Sequence, residues 1–157
     1  MTARKGVGKE RMPQSPNQMA LSQKMQKSNK THDPERAAVR AKVKSDDSLK
    51  SARLAANAAL EKKAEGVIVI DLRELSSYTD FLVICSGGSD RQLDAVAEGV
   101  EAAMKEAGHR TIGFEGSRGG KWTLLDFGDV VLHVFHQDER AYYDLEGLWA
   151  DAPRVTV

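Results

Sequence analysis

The sequence predicts an α/β fold, with a single mixed β-sheet of about five strands flanked by helices. Four short runs, at 67–70, 81–85, 123–127 and 130–135, are apolar at nearly every position, which is typical of strands buried on both faces. Segments with the helical period precede, separate and follow these runs. The resulting order is helix, two strands, helix, three strands, helix, and no internal repeat is visible.

The first predicted helix covers Leu49 to Ala64. Ser48 is suited to cap its N-terminus, and Gly66 lies just past its end. Its apolar face is made mainly of small side chains, which favours close packing on a sheet. That face comprises Ala52, Ala56, Ala59 and Leu60.

The clearest helix follows the second strand, after the break at Ser86-Gly87-Gly88. Ser89 and Gln92 have the spacing of a capping box, and Gly108 is placed to end the helix. The predicted buried stripe recurs every three to four residues. It consists of Leu93, Val96, Ala97, Val100 and Met104.

The C-terminal third is predicted to form the centre of the domain. A weak edge strand at Thr111 to Phe114 leads to a hairpin, in which Gly128-Asp129 is suited to a two-residue turn because Gly tolerates positive φ. A last helix follows. Its apolar residues, expected to face the core, are Tyr142, Leu145, Leu148 and Trp149.

The formal net charge of zero hides two oppositely charged parts. Residues 1–44 carry eleven Lys and Arg against three acids, so residues 45–157 carry twelve basic and twenty acidic groups. We expect 1–44 to be a disordered basic arm and 45–157 to be the folded domain, because the arm has little apolar content. The arm has several interpretations: a weak contact with RNA phosphates, a solubilising tail, residues upstream of the true start, or a poor transit peptide.

Disulfide, membrane and metal chemistry are not predicted. The chain has one cysteine, and it has no run of eighteen apolar residues. Its four histidines lack the spacing of zinc ligands. We therefore expect a cytoplasmic protein without a cofactor, and the sequence leaves open whether the compartment is a bacterial cytoplasm or an organelle.

Two enzyme-like features have structural explanations. Gly87-Gly88-Ser89 before a helix resembles a phosphate-binding turn, but nucleotidyl transfer also needs two carboxylates one residue apart on a strand, and no D-x-D occurs. We interpret the turn as a helix cap. Cys85 and His133 are a nucleophile and a base in type, but both fall in buried strands without a third orienting group, so a core thiol and a core histidine are expected.

A surface around the hairpin is the better candidate for function. Trp122 beside carboxylates at the adjacent turn has the composition of a protein-binding hot spot, although Trp122 could equally close one end of the core. The acidic character of 45–157 indicates a basic partner.

The same region closely resembles the signature of the ribosomal silencing factor family, also called the Iojap family. The resemblance covers about a hundred residues with its motifs in order. They are Ser76-Ser77, Thr79-Asp80-Phe81, Cys85-Ser86-Gly87, Ser89-Asp90-Arg91-Gln92, Glu115-Gly116, W-x-L-L-D-F-G-D-V-V from Trp122, H-V-F from His133, and R-x-Y-Y-D-L-E-x-L-W from Arg140.

The resemblance implies a sheet related to the nucleotidyltransferase fold without its catalytic carboxylates. It implies a non-enzymatic translational repressor that binds the large ribosomal subunit, through its ribosomal protein fourteen, and blocks the small subunit. It places partner contacts at Trp122, Leu124, Asp126, Phe127 and Asp129. Strand alternation predicts that the first three of these share a face.

Several points stay open at this level. Asp80 and Arg91 also match the family pattern, as an ion pair or as contacts. The arm is longer than is usual in the family, and Gly147 within the last helix is unfavourable. Two further functions are considered: a nucleotide-binding or nucleotidyltransferase-like enzyme that uses Gly87-Gly88-Ser89, and a homodimeric interaction module.

Overall fold

The computed structural model describes residues 34–116 and 120–157. Its helices are α1 (Pro34–Glu61), α2 (Asp90–Glu106), α3 (Gln137–Tyr143) and α4 (Leu145–Leu148). Its strands are β1 (Glu65–Asp71), β2 (Phe81–Gly87), β3 (Gly113–Glu115), β4 (Trp122–Asp126), β5 (Val130–His136) and β6 (Arg154–Val155).

The six strands form one mixed sheet in the order β3-β4-β5-β2-β1-β6. β2 and β5 are parallel, and the other neighbours are antiparallel. The predicted α/β fold with a single mixed sheet flanked by helices is confirmed. The additional strand, β6, is only two residues long, which explains why no periodicity indicated it.

The two faces of the sheet are covered unequally. The long helices α1 and α2 pack on one face, where alanines from α1 and the predicted stripe of α2 meet β2 and β5. The other face receives the short helices α3 and α4 and the chain around Ala152. Within the described residues, no helix combines the length and the apolar character that a bilayer crossing requires.

Helix α1 begins earlier than expected. It starts at Pro34, a residue suited to the first helical turn, and not after Ser48. Ser48 lies inside the helix, where its Oγ donates a hydrogen bond to Asp80 Oδ2 at 2.6 Å. Residues 34–44, which we expected to belong to the arm, are helical, whereas 1–33 lie outside the described residues. The division of the chain at residue 44 stays a prediction.

Helix α2 follows the predicted pattern closely. The Gln92 N–H donates to Ser89 Oγ at 3.1 Å, as in a capping box, but Gln92 Oε1 accepts from the N–H of Gly88 at 2.9 Å and not from that of Ser89. The five residues of the predicted stripe are those that α2 buries. Gly108, with φ at +92°, follows the helix end as expected.

The predicted hairpin joins β4 to β5. The Phe127 N–H donates to the carbonyl of Val130 at 2.9 Å, which leaves Gly128-Asp129 as a two-residue turn. Gly128 has φ at +93°, and its N–H donates to Asp126 Oδ1 at 2.8 Å. The turn is therefore held by a side chain of the strand that precedes it.

The predicted last helix is two helices. The chain breaks at Asp144, whose φ and ψ of 49° and 52° are left-handed, and the Asp144 carboxylate accepts from the Gly147 N–H at 3.1 Å to cap α4. The break explains how Gly147 is tolerated, because it lies in a single capped turn. Tyr142 is 62% exposed and Leu148 is 58% exposed, so the expectation that these two residues face the core is wrong. Leu145 and Trp149 do pack in the core.

Gly66 provides a test of the joint between the sheet and α3. It has φ at +58° in the irregular stretch of β1, and a Cβ there would lie 2.7 Å from Arg140 Nη1. We expect Gly66→Ala to lower the free energy of unfolding by at least about 1–2 kcal/mol, from the left-handed backbone alone. Urea denaturation measures this change.

The matched control is Gly88→Ala. Its nearest neighbour would be Gln92 Oε1 at 4.0 Å, so we expect a change within about 0.5 kcal/mol. Equal effects at both positions would contradict the left-handed backbone at Gly66.

Candidate functional site

Five ring-bearing side chains meet on the face of the sheet that carries α3. Trp122 stacks on His133 and Phe135, with ring centroids 5.7 Å away in both cases and planes within 8° of parallel. Tyr143 lies against Trp122 at 5.3 Å, and Tyr142 lies against Tyr143 at 5.3 Å. We refer to Trp122, His133, Phe135, Tyr142 and Tyr143 as the aromatic cluster.

Strand register assembles this cluster. Trp122 and Phe135 are direct cross-strand partners of the antiparallel β4–β5 pair. His133 and Phe135 are two residues apart and therefore point to the same face. Helix α3 begins at Gln137, immediately after β5, and folds back so that its last turn places Tyr143 over the rings.

Trp122 is held by a buried histidine. Its Nε1–H donates to His133 Nδ1 at 3.1 Å, so Nδ1 is the unprotonated nitrogen. His133 is 2% exposed, and burial lowers its pKa to about 3. The imidazole is therefore a neutral acceptor over the physiological pH range, which agrees with the expected core histidine.

Arg140 ties α3 to the sheet. Its Nη1 donates to Ser86 Oγ at 3.2 Å and to the carbonyl of Glu65 at 3.4 Å, and its Nη2 forms an ion pair with Glu146 at 2.9 Å. Gln137 adds a hydrogen bond to the Glu65 carboxylate. Sequence reasoning missed this role, because the R-x-Y-Y pattern shows where Arg140 is but not what it contacts.

The five predicted contact residues do not form one exposed patch. Trp122, Phe127 and Asp129 are half-buried, whereas Leu124 and Asp126 are only 1% and 4% exposed. Phe127 is five residues from Trp122, roughly 16 Å along a strand. Trp122 therefore lies at one end of β4, Asp126, Phe127 and Asp129 lie at the other end and its turn, and Leu124 lies buried between them.

Strand alternation on β4 is as predicted. Trp122 and Leu124 belong to the core on the α3 face, and Asp126 on the same side accepts a hydrogen bond from the Tyr78 hydroxyl at 2.9 Å. Burial, and after it the Asp126 carboxylate, raises the pKa of Tyr78, so that hydroxyl remains a donor. Phe127 packs against the opposite core, beneath α1 and α2.

Cys85, His133 and the glycine-rich turn at Gly87-Gly88-Ser89 make structural contacts. Cys85 and His133 point to opposite faces of the sheet, and burial raises the pKa of the Cys85 thiol to about 12. The Gly88 N–H and Ser89 Oγ of the glycine-rich turn are both engaged by Gln92. These contacts are those of a helix cap.

Two further expectations concern charged groups. Asp80 and Arg91 lie at opposite ends of β2, so they do not pair; Asp80 accepts from Ser48 instead. Among residues 34–116 and 120–157, no three His, Cys, Asp or Glu side chains are grouped so that they could hold a metal ion.

His133 predicts a specific pH dependence of stability. Its pKa is lower in the folded protein than the ~6.5 of an unfolded histidine, so only the unfolded state takes up its proton as the pH falls from about 6.5 towards 3. We expect the wild type to lose up to about 1.4 kcal/mol per pH unit more than His133→Gln over this range. Urea unfolding at pH 7, 6 and 5 compares the two proteins, and parallel losses would refute the buried neutral histidine.

Comparison with known proteins identifies the family. The family model described as "RsfS: Ribosomal silencing factor during starvation" matches residues 45–157. A ribosomal silencing factor of Halalkalibacterium halodurans is 47% identical over 103 residues, which cover 66% of this chain and 88% of that protein. The chloroplastic Iojap protein of Zea mays is 37% identical over 103 residues, covering 64% of this chain and 43% of that longer protein.

Solved structures agree with the sequence matches. A crystal structure of a Chromobacterium violaceum protein superposes with a TM-score of 0.63 at 38% identity, covering 65% of this chain and 85% of that one. A Bacillus halodurans crystal structure gives 0.59 at 44% identity, covering 67% and 95%. The resemblance of the motifs is thereby confirmed, and the chain belongs to the ribosomal silencing factor family.

Proposed function

We propose that this protein represses translation without catalysis, as a cytoplasmic factor that binds the large ribosomal subunit. In this proposal it contacts ribosomal protein fourteen of that subunit and sterically prevents association with the small subunit. Family membership supports a ribosome-associated silencing role. The observation that carries the finer proposal is the aromatic cluster, which presents Tyr142 and the half-buried Trp122 and Tyr143 beside carboxylates.

The aromatic cluster is suited to docking because it is preorganised. Tyr and Trp are enriched at the centres of protein interfaces. Trp122 is fixed by its ring contacts with His133 and Phe135 and by its hydrogen bond to His133. Little side-chain entropy remains to be lost on binding, which favours affinity for a given contact area.

Charge around the cluster favours a basic partner. Asp138 and Glu139 lie in the first turn of α3, and the pKa of Tyr143 is raised by burial and then by the nearby Glu139 carboxylate. Residues 45–157 have eight more acids than bases. Complementary charge accelerates encounter and disfavours nucleic acid at the same face.

The five predicted contact residues take different roles in this proposal. Trp122 is the anchor at the α3 end of β4, and Phe127 and Asp129 form a second contact at the turn. Leu124 and Asp126 are buried and support the contact residues. Leu124 packs in the core, and Asp126 stabilises the turn by accepting a hydrogen bond from the Gly128 N–H.

Tyr142→Lys tests the docking face with little risk to the fold, because this ring is largely exposed. The change removes an aromatic contact and places a positive charge against a basic partner, so we expect affinity for large subunits to fall at least about tenfold. Co-sedimentation with purified large subunits measures the affinity, and light scattering of mixed subunits measures joining.

The matched control is Leu60→Lys, which adds the same charge on α1. Leu60 was expected on the packing face of this helix, but it is 46% exposed. Since α1 lies on the opposite face of the sheet, we expect binding and inhibition of joining to be retained. If Tyr142→Lys binds as well as this control, the aromatic cluster is not the docking face.

The nucleotide-enzyme alternative gives a separate prediction. Since the Gly88 N–H and Ser89 Oγ are engaged by Gln92, we expect no thermal shift on adding millimolar ATP with Mg²⁺. Differential scanning fluorimetry measures the melting temperature. A shift that disappears in Gln92→Ala or Ser89→Ala would support nucleotide binding at this turn instead.

Self-association and a weak ribosomal RNA contact by the arm stay predictions. The sheet has short edge strands, β3 and β6, on which a second copy could pair. Equilibrium sedimentation over a range of concentrations distinguishes a monomer from a homodimer.

A further inference from the structure

A groove runs along the outer side of α2, where it faces the β3 edge of the sheet. It encloses about 190 Å³. Its apolar floor is formed by Ala97, Leu125 and Phe114. The α2 wall carries carboxylates at successive turns, namely Asp94, Glu98 and Glu101.

The edge of this groove is incompletely covered. Phe114 is 58% exposed and the adjacent Ile112 is 65% exposed, which is unusual for two large apolar side chains so close together. β3 pairs only with β4 within the described residues, so its outer side has backbone groups free of strand pairing. An extended segment with apolar and basic side chains would match the floor, the edge and the wall together.

The chain itself contains such a segment. Between Arg11 and His32 there is no acidic residue. The part that can reach the groove, 11–24, carries two bases, Arg11 and Lys24, and larger apolar side chains at Met12, Met19 and Leu21. Its composition is complementary to the groove in both charge and apolar character.

We propose that residues 11–24 of this chain dock intramolecularly in the groove between α2 and β3. Apolar side chains around Leu21 pack on Phe114, and the basic side chains of Lys24 and Arg11 lie along the carboxylates of α2. The segment thereby covers the exposed apolar residues at the edge of the sheet. The proposal concerns a face separate from the aromatic cluster and does not depend on ribosome binding.

The tether is long enough for this contact. Ser51 lies beside His109, just beyond the end of α2, with Ser51 Oγ 3.0 Å from His109 Nε2. Pro34 is seventeen residues earlier in α1, about 25 Å further along the helix axis. Ala20 is fourteen residues before Pro34, a span of up to about 46 Å when extended, and Lys24 is ten residues before it, up to about 33 Å, which allows the chain to turn back to the groove.

Because the segment is covalently attached, the contact needs only a weak intrinsic affinity to form. A tethered segment has an effective concentration in the millimolar range, so a weak contact is still populated. The charged part of that contact is on the surface and is therefore screened by salt. Docking should accordingly weaken as ionic strength rises.

Paramagnetic relaxation in the full-length chain tests the proposal. A nitroxide is attached at Ser22→Cys; the native Cys85 is buried and does not compete for the label. We expect the amide signals of Gly113, Phe114 and Ala97 to lose intensity at low salt and to recover at about 0.5 M salt, where the Debye length is only a few ångströms.

Charge reversal in the groove provides the decisive variant. Asp94→Lys with Glu101→Lys is expected to abolish the intensity loss. The control, Glu61→Lys with Glu74→Lys, makes the same change in net charge at two exposed positions outside the groove and is expected to keep it. Phe114→Ser, which leaves every charge in place, is expected to reduce the loss as well.

Three results would overturn the proposal. The first is unchanged signals at the groove in the nitroxide-labelled protein. The second is an intensity loss that persists when the groove charges are reversed. The third is a loss seen equally when nitroxide-labelled and isotope-labelled chains are separate copies in a mixture, since the occupant would then be a second molecule.

Discussion

The parallel pairing of β2 with β5 is the constraint on which the rest of the structure depends. Seven consecutive residue pairs, from Phe81 with Val130 to Gly87 with His136, join segments about fifty positions apart in the chain. Both strands are covered on both faces, so a shift by one residue would exchange the two cores. This register sets where α2 crosses and where β4 returns beside β5. It also fixes which side of β5 presents His133 and Phe135 to Trp122.

Given that register, a small number of polar contacts position the aromatic cluster at the surface end of the core on the α3 face. The Trp122 indole requires an acceptor, and the neutral His133 provides one without introducing a charge. Arg140 then fixes α3 against the irregular stretch of β1, where only Gly66 leaves room for the guanidinium. Tyr143 is held on the rings as a consequence, and the left-handed Asp144 turns the chain so that Tyr142 faces outward. The same contacts therefore keep the aromatic cluster rigid and leave Tyr142 exposed.

The features that could be predicted from the sequence are those determined by residues close together in the chain. Helix α2 was predicted with its cap, stripe and end because Ser89, Gln92 and Gly108 act within a few residues of one another. The hairpin turn was predicted for the same reason. The start of α1, the break at Asp144 and the burial of Leu124 and Asp126 depend on neighbours distant in sequence, such as Tyr78 for Asp126. Periodicity shows which residues share a face, but not whether another element covers that face. The alternation along β4 could therefore be predicted from the sequence, whereas the burial of Leu124 and Asp126 could not.

The two binding regions that we propose lie on different faces of the sheet, which are covered unequally. The aromatic cluster lies on the face with short helices, whereas the acidic groove lies beside α2 on the other face, because alternation on β4 places Trp122 and Leu124 on one side and Leu125 on the other. A basic segment in the groove therefore neither covers Trp122 nor removes the carboxylates of α3. It would, however, neutralise part of the acidic charge that attracts a basic partner over longer distances. The arm would then affect the rate of encounter with the ribosome more than the contact itself, because the proposed docking surface is set by the register of β4 on β5 and is independent of the arm.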